Sequence, residues 1–236
     1  MTKLAKEETA GKESALHALF HGLDTSSLCD SRKTLRVMSP QIRPLQPGTK
    51  ILGVARTVSV LDDFLTVIKA LHEAQAGEVL VIDGRGGERA LLGELFSAEA
   101  RRKGLAGIIV DGACRDSESI RAMGYPVFSR HVTPMAGTCN QLFGTQVSIT
   151  CGGIAVEPGD IVFGDDDGVI VLSQSELDEI IDGARKLQSV EARILESLKR
   201  GTPLLDMTNA EEHLEAISAG KQSKLSFRVD DRTAFS

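Results

Sequence analysis

The chain has 236 residues, enough for one large domain or for a domain with extensions at its ends. Hydrophobic residues make up 42% and charged residues 25%, as in ordinary globular proteins, which argues against a disordered or fibrous chain. With a formal net charge of −6, the chain lacks the overall basic charge that is expected of a nucleic-acid-binding protein. The sequence lacks both a signal-like N-terminus and an apolar run of about eighteen residues, so we expect neither secretion nor a membrane span.

The cysteines are scattered, without a C-x-x-C pair: they are Cys29, Cys114, Cys139 and Cys151. This distribution predicts neither a zinc site nor a disulfide framework. Free thiols are typical of a reducing cytoplasm, where we expect this protein to be.

The N-terminal part is predicted to be mixed. Residues 1–35 have a polar start followed by a short helix, and Asp24 to Ser27 are predicted to form a turn. Residues 50–60 are rich in β-branched side chains, which favours a strand. Residues 64–76 have apolar side chains at helical spacing, which predicts an amphipathic helix.

The central part predicts a strand–helix–strand unit. Residues 78–83 are a short apolar run before a glycine, as in a buried strand, and residues 88–103 have the periodicity of a helix. A second buried strand follows at residues 107–111 and is expected to break at Gly112. Two strands joined in this way are parallel, and the crossover is right-handed.

The last part alternates short strands with turns and ends in helices. The predicted strands cover residues 126–129, 146–150, 161–163 and 168–172. Ser173 and Glu176 have the spacing of a capping box at the start of a long helix that runs to about Lys199. A shorter helix is predicted at residues 209–219, so the chain is predicted to be one α/β domain with helical ends.

Two strand ends carry polar residues, and open α/β sheets build their sites at such ends. The first is Asp83 to Arg89, where a G-x-G-x-x-G dinucleotide motif would need glycine in place of Arg89. This turn is compatible with a flexible connection, with a loop whose backbone N–H groups face an anion, or with a nucleotide or S-adenosylmethionine site.

The second strand end carries Arg115 and Asp116. Arginine suits bidentate recognition of a carboxylate, and a carboxylate oxygen suits a hard cation such as Mg²⁺. The alternative is an ordinary surface salt bridge, which is the commoner role of such a pair.

The stretch from Gly84 to Arg130 resembles the core of the RraA-like family, and the similarity extends more loosely over most of the chain. The family's aldolases carry an acidic residue, twenty further positions and then Arg-Asp, and Glu94 stands at that distance from Arg115 and Asp116. The best-known aldolases have Asp where this chain has Glu94. A second version of the motif requires an acid where this chain has Ser119.

The resemblance implies a loop whose backbone N–H groups bind the pyruvyl end of a substrate. Its residues are Gly93, Glu94, Leu95 and Phe96. Because a helix N-terminus offers free N–H donors to an anion, the helix is then expected to start near these residues.

The resemblance assigns Arg115 to the substrate carboxylate or developing enolate, and Asp116 to one Mg²⁺ or Mn²⁺ ion. Glu94 or Glu191 would act on the water that takes the 4-hydroxyl proton. Glu191 lies on the long helix and would reach the site of a neighbouring subunit, unless it only belongs to a solvated face. The implied activity is cleavage of 4-hydroxy-2-oxo acids such as 4-hydroxy-4-methyl-2-oxoglutarate to pyruvate, with oxaloacetate decarboxylation as a side activity.

The implied fold is a three-layer β/β/α domain of the swivelling type, with its core at about residues 35–172 and helices at about 173–220. The family implies homotrimers or hexamers and a small 2-oxo acid as ligand, without nucleic acid or membrane partners. The alternative function is a non-catalytic regulator that binds and inhibits a ribonuclease. A methyltransferase is a weaker alternative.

Overall fold

The computed structural model describes residues 11, 14–228 and 234–235. The chain divides into two compact units, residues 1–181 and 182–236. Within the described ranges, no helix combines the length and the apolar character that are needed to cross a membrane.

The first unit is built around a large mixed sheet, which contains nine strands in the described part of the chain. These are β1 (Arg36–Val37), β2 (Arg43–Pro44), β3 (Ile51–Ser59), β4 (Glu78–Asp83), β5 (Ala90–Leu92), β6 (Gly107–Cys114), β7 (Val127–Val132), β10 (Ile161–Asp165) and β11 (Gly168–Leu172). Their order is β1-β11-β10-β3-β4-β6-β7-β2, and β5 pairs with β6.

The described helices of this unit are α1 (residues 14–20), α2 (Thr25–Ser31), α3 (Leu65–Glu73), α4 (Glu94–Lys103), α5 (Ser117–Met123) and the start of α6 (Gln174–Lys199). Of these, α3, α4 and α5 connect the parallel strands in the middle of the sheet. Strands β3, β4, β6 and β7 are parallel neighbours. The predicted parallel crossover from β4 through a helix to β6 is therefore confirmed.

Alternation of side chains along the strands produces three layers. On β4, Leu80 and Ile82 pack into one core cluster with residues of α3, α4 and α5. Val79 and Val81, which point to the opposite face, pack into a second cluster with the hairpin of β8 (Ile149–Cys151) and β9 (Ile154–Val156). The order hairpin, sheet, helices is the predicted β/β/α architecture.

The helix predicted over residues 88–103 is wrong in its first part. Ala90 to Leu92 form strand β5, and the helix begins at Glu94. Leu92 pairs with Cys114, and the Arg115 N–H donates to the Leu92 carbonyl at 3.0 Å. Since all three residues of β5 are buried, their apolar pattern fits a strand as well as a helix, and pairing with β6 decided between them.

Two further predictions need correction. The second central strand does not break at Gly112, because β6 continues to Cys114 with a register shift between Val110 and Ala113. The segment from Asp24 to Ser27 is a helix start, since the Asp24 carboxylate accepts the Ser27 N–H at 2.7 Å and caps α2.

The predicted capping box is confirmed at the start of α6. The Ser173 N–H donates to Glu176 at 2.7 Å, and the Glu176 N–H donates to the Ser173 hydroxyl at 3.2 Å. The long helix then runs to Lys199, as predicted.

The second unit begins at residue 182, within α6, and is mainly helical. It contains a 3₁₀ turn (Leu205–Met207), α7 (Ala210–Ser218) and a pair of two-residue strands, β12 (Phe227–Arg228) and β13 (Ala234–Phe235). Val190, Ile194 and Met207 form its small core, with Phe227 packed against them.

Candidate functional site

The candidate site lies where β5 and β6 end side by side. Because these strands are parallel neighbours, their carboxyl ends meet at the same edge of the sheet. Gly93 follows β5 and caps α4, while Asp116 follows β6 and caps α5. Asp116 has φ 54° and ψ 36°, a left-handed conformation that aspartate adopts more readily than most residues.

One oxygen of Asp116 joins the two junctions. Its Oδ2 accepts the Glu94 N–H at 3.1 Å and lies 3.4 Å from Arg115 Nε. Oδ1 has no hydrogen-bond partner among the described residues. The side chains of Arg115 and Asp116 are 44% and 38% exposed, so both are accessible to a ligand.

The absence of a side chain at Gly93 makes this contact possible. A Cβ atom there would lie 2.4 Å from Asp116 Oδ2 and 2.9 Å from Arg115 Cγ, closer than such atoms approach one another. Gly93 itself has extended backbone angles that any residue can adopt. Glycine is therefore required by space and not by conformation.

The first turn of α4 presents its backbone N–H groups at the same place. The Glu94 N–H is used by Asp116, whereas those of Leu95 and Phe96 precede the first intrahelical hydrogen bond. Ser97 closes the turn, because both its N–H and its hydroxyl donate to the Gly93 carbonyl, at 3.1 and 3.0 Å. The Glu94 side chain is exposed and makes no hydrogen bond or ion pair in the described part of the chain.

The pair formed by Arg115 and Asp116 lies between two cavities. The first has a volume of about 210 Å³, and we call it the apolar cavity; besides the pair it is lined mainly by Phe64, Leu92, Leu95, Phe96 and Ala136. The Phe64 and Phe96 rings meet edge to face at a centroid distance of 5.8 Å. The second, of about 330 Å³, is the Thr133 cavity, which is lined by Ser117, Val132, Thr133 and Pro134.

Sequence reasoning missed Asp63, which holds one wall of the apolar cavity. Its fully buried carboxylate accepts the Thr138 hydroxyl at 2.8 Å and the backbone N–H groups of Leu65, Asn140 and Gln141 at 2.9, 2.7 and 3.1 Å. Burial acts to raise the pKa of Asp63, but these donors hold the pKa below its ordinary value. The signal in the sequence that could have identified Asp63 is an acidic residue between a strand and a helix at this edge of the sheet.

The loop that Asp63 binds also forms hydrogen bonds with β5. The Ala90 N–H donates to the Met135 carbonyl at 2.8 Å, and the Gly137 N–H donates to the Ala90 carbonyl at 2.9 Å. Ala136, which lies between these two contacts, lines the apolar cavity. Asp63 therefore affects the site through a segment more than seventy residues away in sequence.

The glycine-rich turn after β4 is bonded internally. The N–H groups of Arg85, Gly86 and Gly87 donate to the Asp83 carboxylate, the Asp111 carbonyl and the Gly84 carbonyl at 3.0, 3.0 and 2.9 Å. None of these three groups is left for an anion, which disfavours the alternative of an anion-binding loop at this turn.

Asp83 and Asp111 occupy register-paired positions on β4 and β6 and line a polar cavity of about 700 Å³. Asp111 is paired with Arg130 Nε at 2.5 Å and accepts the Gly152 N–H at 2.6 Å. Burial raises the pKa of Asp83, and the nearby Asp111 charge adds to the rise, while the Arg85 N–H opposes it.

The structure thus brings together six of the residues that the sequence singled out: Gly93, Glu94, Leu95, Phe96, Arg115 and Asp116. Glu191 lies on the part of α6 that belongs to the second unit, where it is exposed.

A metal at this site would depend on Asp116. Among the described residues, no three His, Cys, Asp or Glu side chains come together as a metal-binding group. One exposed carboxylate with a free Oδ1 fits Mg²⁺, which often binds proteins through one or two carboxylates and keeps several waters.

Comparison with known proteins identifies the family. Residues 25–171 match the RraA-like family, described as Aldolase/RraA, and the chain belongs to this family. A relative from Halalkalibacterium halodurans, provisionally named 4-hydroxy-4-methyl-2-oxoglutarate aldolase, is 36% identical over 172 residues, which are 72% of this chain and 82% of the relative.

Solved structures share the fold. RraAS2 of Streptomyces coelicolor, described as an unusual member of the RNase ES inhibitor RraA family, is 30% identical with a TM-score of 0.68, over 75% of this chain and 95% of that chain. A Geobacillus kaustophilus protein described as an S-adenosylmethionine:2-dimethylmenaquinone methyltransferase is 35% identical with a TM-score of 0.60, over 64% and 95%. Because these relatives carry different functional names, the function of this chain has to be argued from its site.

Proposed function

We propose that this chain is a divalent-metal-dependent pyruvate aldolase that cleaves 4-hydroxy-2-oxo acids. The observation that carries the proposal is the contact of Asp116 Oδ2 with both the Glu94 N–H and Arg115 Nε, which leaves Oδ1 free. This arrangement combines a ligand for a hard cation, a fixed guanidinium and the N-terminus of a helix. Aldol cleavage needs such a set, because negative charge develops on the pyruvyl part as the bond breaks.

Asp116 would hold the Mg²⁺ or Mn²⁺ ion, which when bound supplies a Lewis acid for the reaction. Arg115 binds the substrate carboxylate or the enolate oxygen with a planar, permanently charged group. The N–H groups of Leu95 and Phe96 bind the same pyruvyl end.

The reaction breaks the bond between C3 and C4 of the substrate. A base takes the proton of the 4-hydroxyl, C4 becomes a carbonyl, and the electron pair of the broken bond forms the enolate of pyruvate. Protonation of the enolate at C3 gives pyruvate. We propose that the base is a water on which Glu94, or Glu191 of a neighbouring copy, acts. Oxaloacetate would lose CO₂ through the same enolate.

We further propose that the protein is a homotrimer or hexamer whose copies share sites. Exposed apolar side chains around the site support this proposal, because such side chains are typical of interface cores. They are Leu95, Val132 and Met135. Mixing the inactive variants Asp116→Ala and Glu191→Ala tests it: activity should return if each mixed site takes Asp116 and Glu191 from different chains, and no return would contradict sharing.

A non-catalytic role as a ribonuclease inhibitor is the alternative, and descriptions of relatives such as the Streptomyces protein favour it. The enzyme is favoured because the chain has Glu94, Arg115 and Asp116 at the spacing of the family's aldolases. A methyltransferase is disfavoured because three backbone N–H groups of the glycine-rich turn, those of Arg85, Gly86 and Gly87, are already bonded.

The deciding experiment measures pyruvate release from 4-hydroxy-2-oxo acids with Mg²⁺, with Mn²⁺ and in excess chelator. We expect activity with metal and none in chelator or in Asp116→Ala. Glu118→Ala, which removes an exposed acid two residues away, is the matched control and should retain activity. Turnover by Asp116→Ala equal to that of the wild type would refute the assignment.

A further inference from the structure

A further cavity lies at the edge of the sheet opposite the candidate site. It is lined by Gly77 and Glu78, where β4 begins, whereas the candidate site lies where β5 and β6 end. Its volume is about 670 Å³, within the roughly 300–1,000 Å³ that is usual for small-molecule sites. We call it the Arg56 cavity, and it shares no described lining residue with the apolar cavity or the Thr133 cavity.

Most of the wall of the Arg56 cavity is apolar. It is formed by side chains of α1 and of the paired strands β3 and β10, namely Leu16, Leu19, Leu52, Val54 and Ile161. Helix α1 is anchored at its end, because the Phe20 ring packs against Phe163 of β10 at a centroid distance of 4.9 Å. Such a wall favours a ligand with an apolar body, which gains free energy by leaving water.

Arg56 supplies a permanent positive charge to this cavity, although the residue is only 8% exposed. Its Nε donates to Glu78 Oε2 at 2.6 Å, and the same oxygen accepts the Gln75 N–H at 2.7 Å. Among the described residues, neither Nη1 nor Nη2 of Arg56 has a hydrogen-bond partner. Because buried polar groups are nearly always hydrogen-bonded, these two nitrogens indicate a ligand with acceptor oxygens.

Arg36 shows within the same chain that one guanidinium can bind two carboxylates. Its Nη1 donates to Asp160 Oδ2 at 2.7 Å, and its Nη2 donates to Glu176 Oε2 at 3.0 Å. The Arg36 side chain is 25% exposed and that of Arg56 is 10% exposed, so the more buried arginine has one carboxylate fewer. Glu78 therefore leaves room on Arg56 for a second carboxylate, which would bind through charge-assisted hydrogen bonds.

We infer that the Arg56 cavity binds a small monocarboxylic acid with an apolar body, whose carboxylate accepts hydrogen bonds from Nη1 and Nη2 of Arg56. The body lies against the apolar wall. One carboxylate is expected because Arg56 is the only arginine or lysine among the described lining residues. A second carboxylate against the apolar wall would lose its water without gaining a partner. This site is separate from the proposed aldolase site and does not depend on that function.

Isothermal titration calorimetry with octanoate and 2-naphthoate tests the inference with one straight-chain and one aromatic acid. We expect a Kd below about 1 mM for at least one of them, and the tighter acid identifies the shape of the body. The neutral counterparts, 1-octanol and 2-naphthalenemethanol, should bind at least tenfold more weakly, because they lack the charge-assisted hydrogen bonds. Failure of both acids to bind, or equal binding of an acid and its alcohol, would overturn the inference.

Two variants locate the site. Arg56→Lys keeps a positive charge beside Glu78 but lacks the pair of terminal nitrogens, so it should weaken binding of the acid at least fivefold. Val54→Trp enlarges a side chain of the wall that is 38% exposed, and it should abolish binding because the indole fills the cavity. Ile68→Trp on α3, at a side chain that is 43% exposed and outside the lining, is the matched control and should bind like the wild type.

The thermal unfolding midpoint shows whether each variant is folded. Affinity equal to that of the wild type in a folded Val54→Trp protein would overturn the inference, whatever the effect of Arg56→Lys. Loss of binding in Arg115→Ala but not in Val54→Trp would place the acid at the candidate site and would also overturn it.

Discussion

The carboxylate of Asp116 occupies the space in which a side chain of residue 93 would begin. A Cβ atom at Gly93 would lie 2.4 Å from Asp116 Oδ2, and that same oxygen accepts the Glu94 N–H at 3.1 Å. The ends of β5 and β6 can therefore approach closely enough to share one carboxylate only because residue 93 is glycine.

Gly93→Ala should impair the site more than the fold. We expect kcat/KM and Mn²⁺ affinity to fall at least tenfold, because Asp116 and Arg115 must move, with a stability cost of about 1–3 kcal/mol. Gly112→Ala is the matched control, since a Cβ there meets its neighbours at 3.4 Å or more. Native activity and metal affinity in Gly93→Ala would show that the contact is dispensable.

Arg115→Lys should weaken substrate binding and the binding of oxalate, a planar dianion that resembles the enolate. An ammonium group cannot reproduce a bidentate guanidinium, so the loss should be on the order of 1.5–3 kcal/mol, or tenfold to more than a hundredfold. The measurement is the oxalate inhibition constant, with Arg121→Lys on α5 as the control. If Arg115 only forms a surface ion pair, the constant should stay the same.

Glu94→Gln should lower turnover at least about tenfold, while the free energy of unfolding should change by less than about 0.5 kcal/mol. The Glu94 side chain is exposed and its backbone N–H, which binds Asp116, is unchanged by the substitution. The experiment compares kcat and urea unfolding, with Glu118→Gln as the control. A stability loss near 1 kcal/mol with normal turnover would instead indicate that Glu94 only stabilises the N-terminus of α4.

Asp63 should make the fold sensitive to acid. Its pKa is lower in the folded state than in the unfolded chain, so its stabilising effect is present above the unfolded value and is lost as the pH falls through the folded value. Asp63→Asn places an amide NH₂ or a weaker acceptor among four donors. It should therefore lower the free energy of unfolding by on the order of 2–4 kcal/mol at pH 7. The difference from the wild type, measured by urea unfolding, should shrink below about pH 4, near the ordinary aspartate pKa.

Asp62→Asn is the control for Asp63, because Asp62 has φ 52° and asparagine tolerates this conformation well. A cost in Asp63→Asn that stays constant with pH would show that the carboxylate charge is not what the loop requires.

Asp83 should show the opposite dependence on pH. Its pKa is raised in the folded state, chiefly by burial, so the favourable contribution is present at low pH and is lost as the pH rises through the folded value. We expect Asp83→Asn to raise the unfolding midpoint at pH 7 and to lose this advantage near pH 4. Asp111→Asn should instead destabilise the protein by about 3–5 kcal/mol, because it leaves the largely buried Arg130 without its carboxylate partner. A lower midpoint in Asp83→Asn at pH 7 would contradict the expected sign.

Local sequence patterns were sufficient to predict those elements that depend on residues close together in the chain. The apolar run at residues 78–83 and the capping box of Ser173 and Glu176 predicted β4 and the start of α6 correctly, since strand burial and helix capping depend on residues a few positions apart. The spacing between Glu94 and Arg115-Asp116 also indicated, through the resemblance to the family, that these three residues belong to one candidate site.

Features that depend on contacts between segments distant in sequence were decided only by the tertiary structure. Ala90 to Leu92 are a strand because β6 lies beside them, and the apolar cavity exists because Asp63 binds a loop more than seventy residues away. Through its resemblance to the family, the sequence by itself predicted the layers and indicated Glu94, Arg115 and Asp116 as candidate site residues. It did not determine that the backbone N–H of Glu94 would bind Asp116, because the free energy of such a contact depends on the arrangement of three segments and leaves no local pattern.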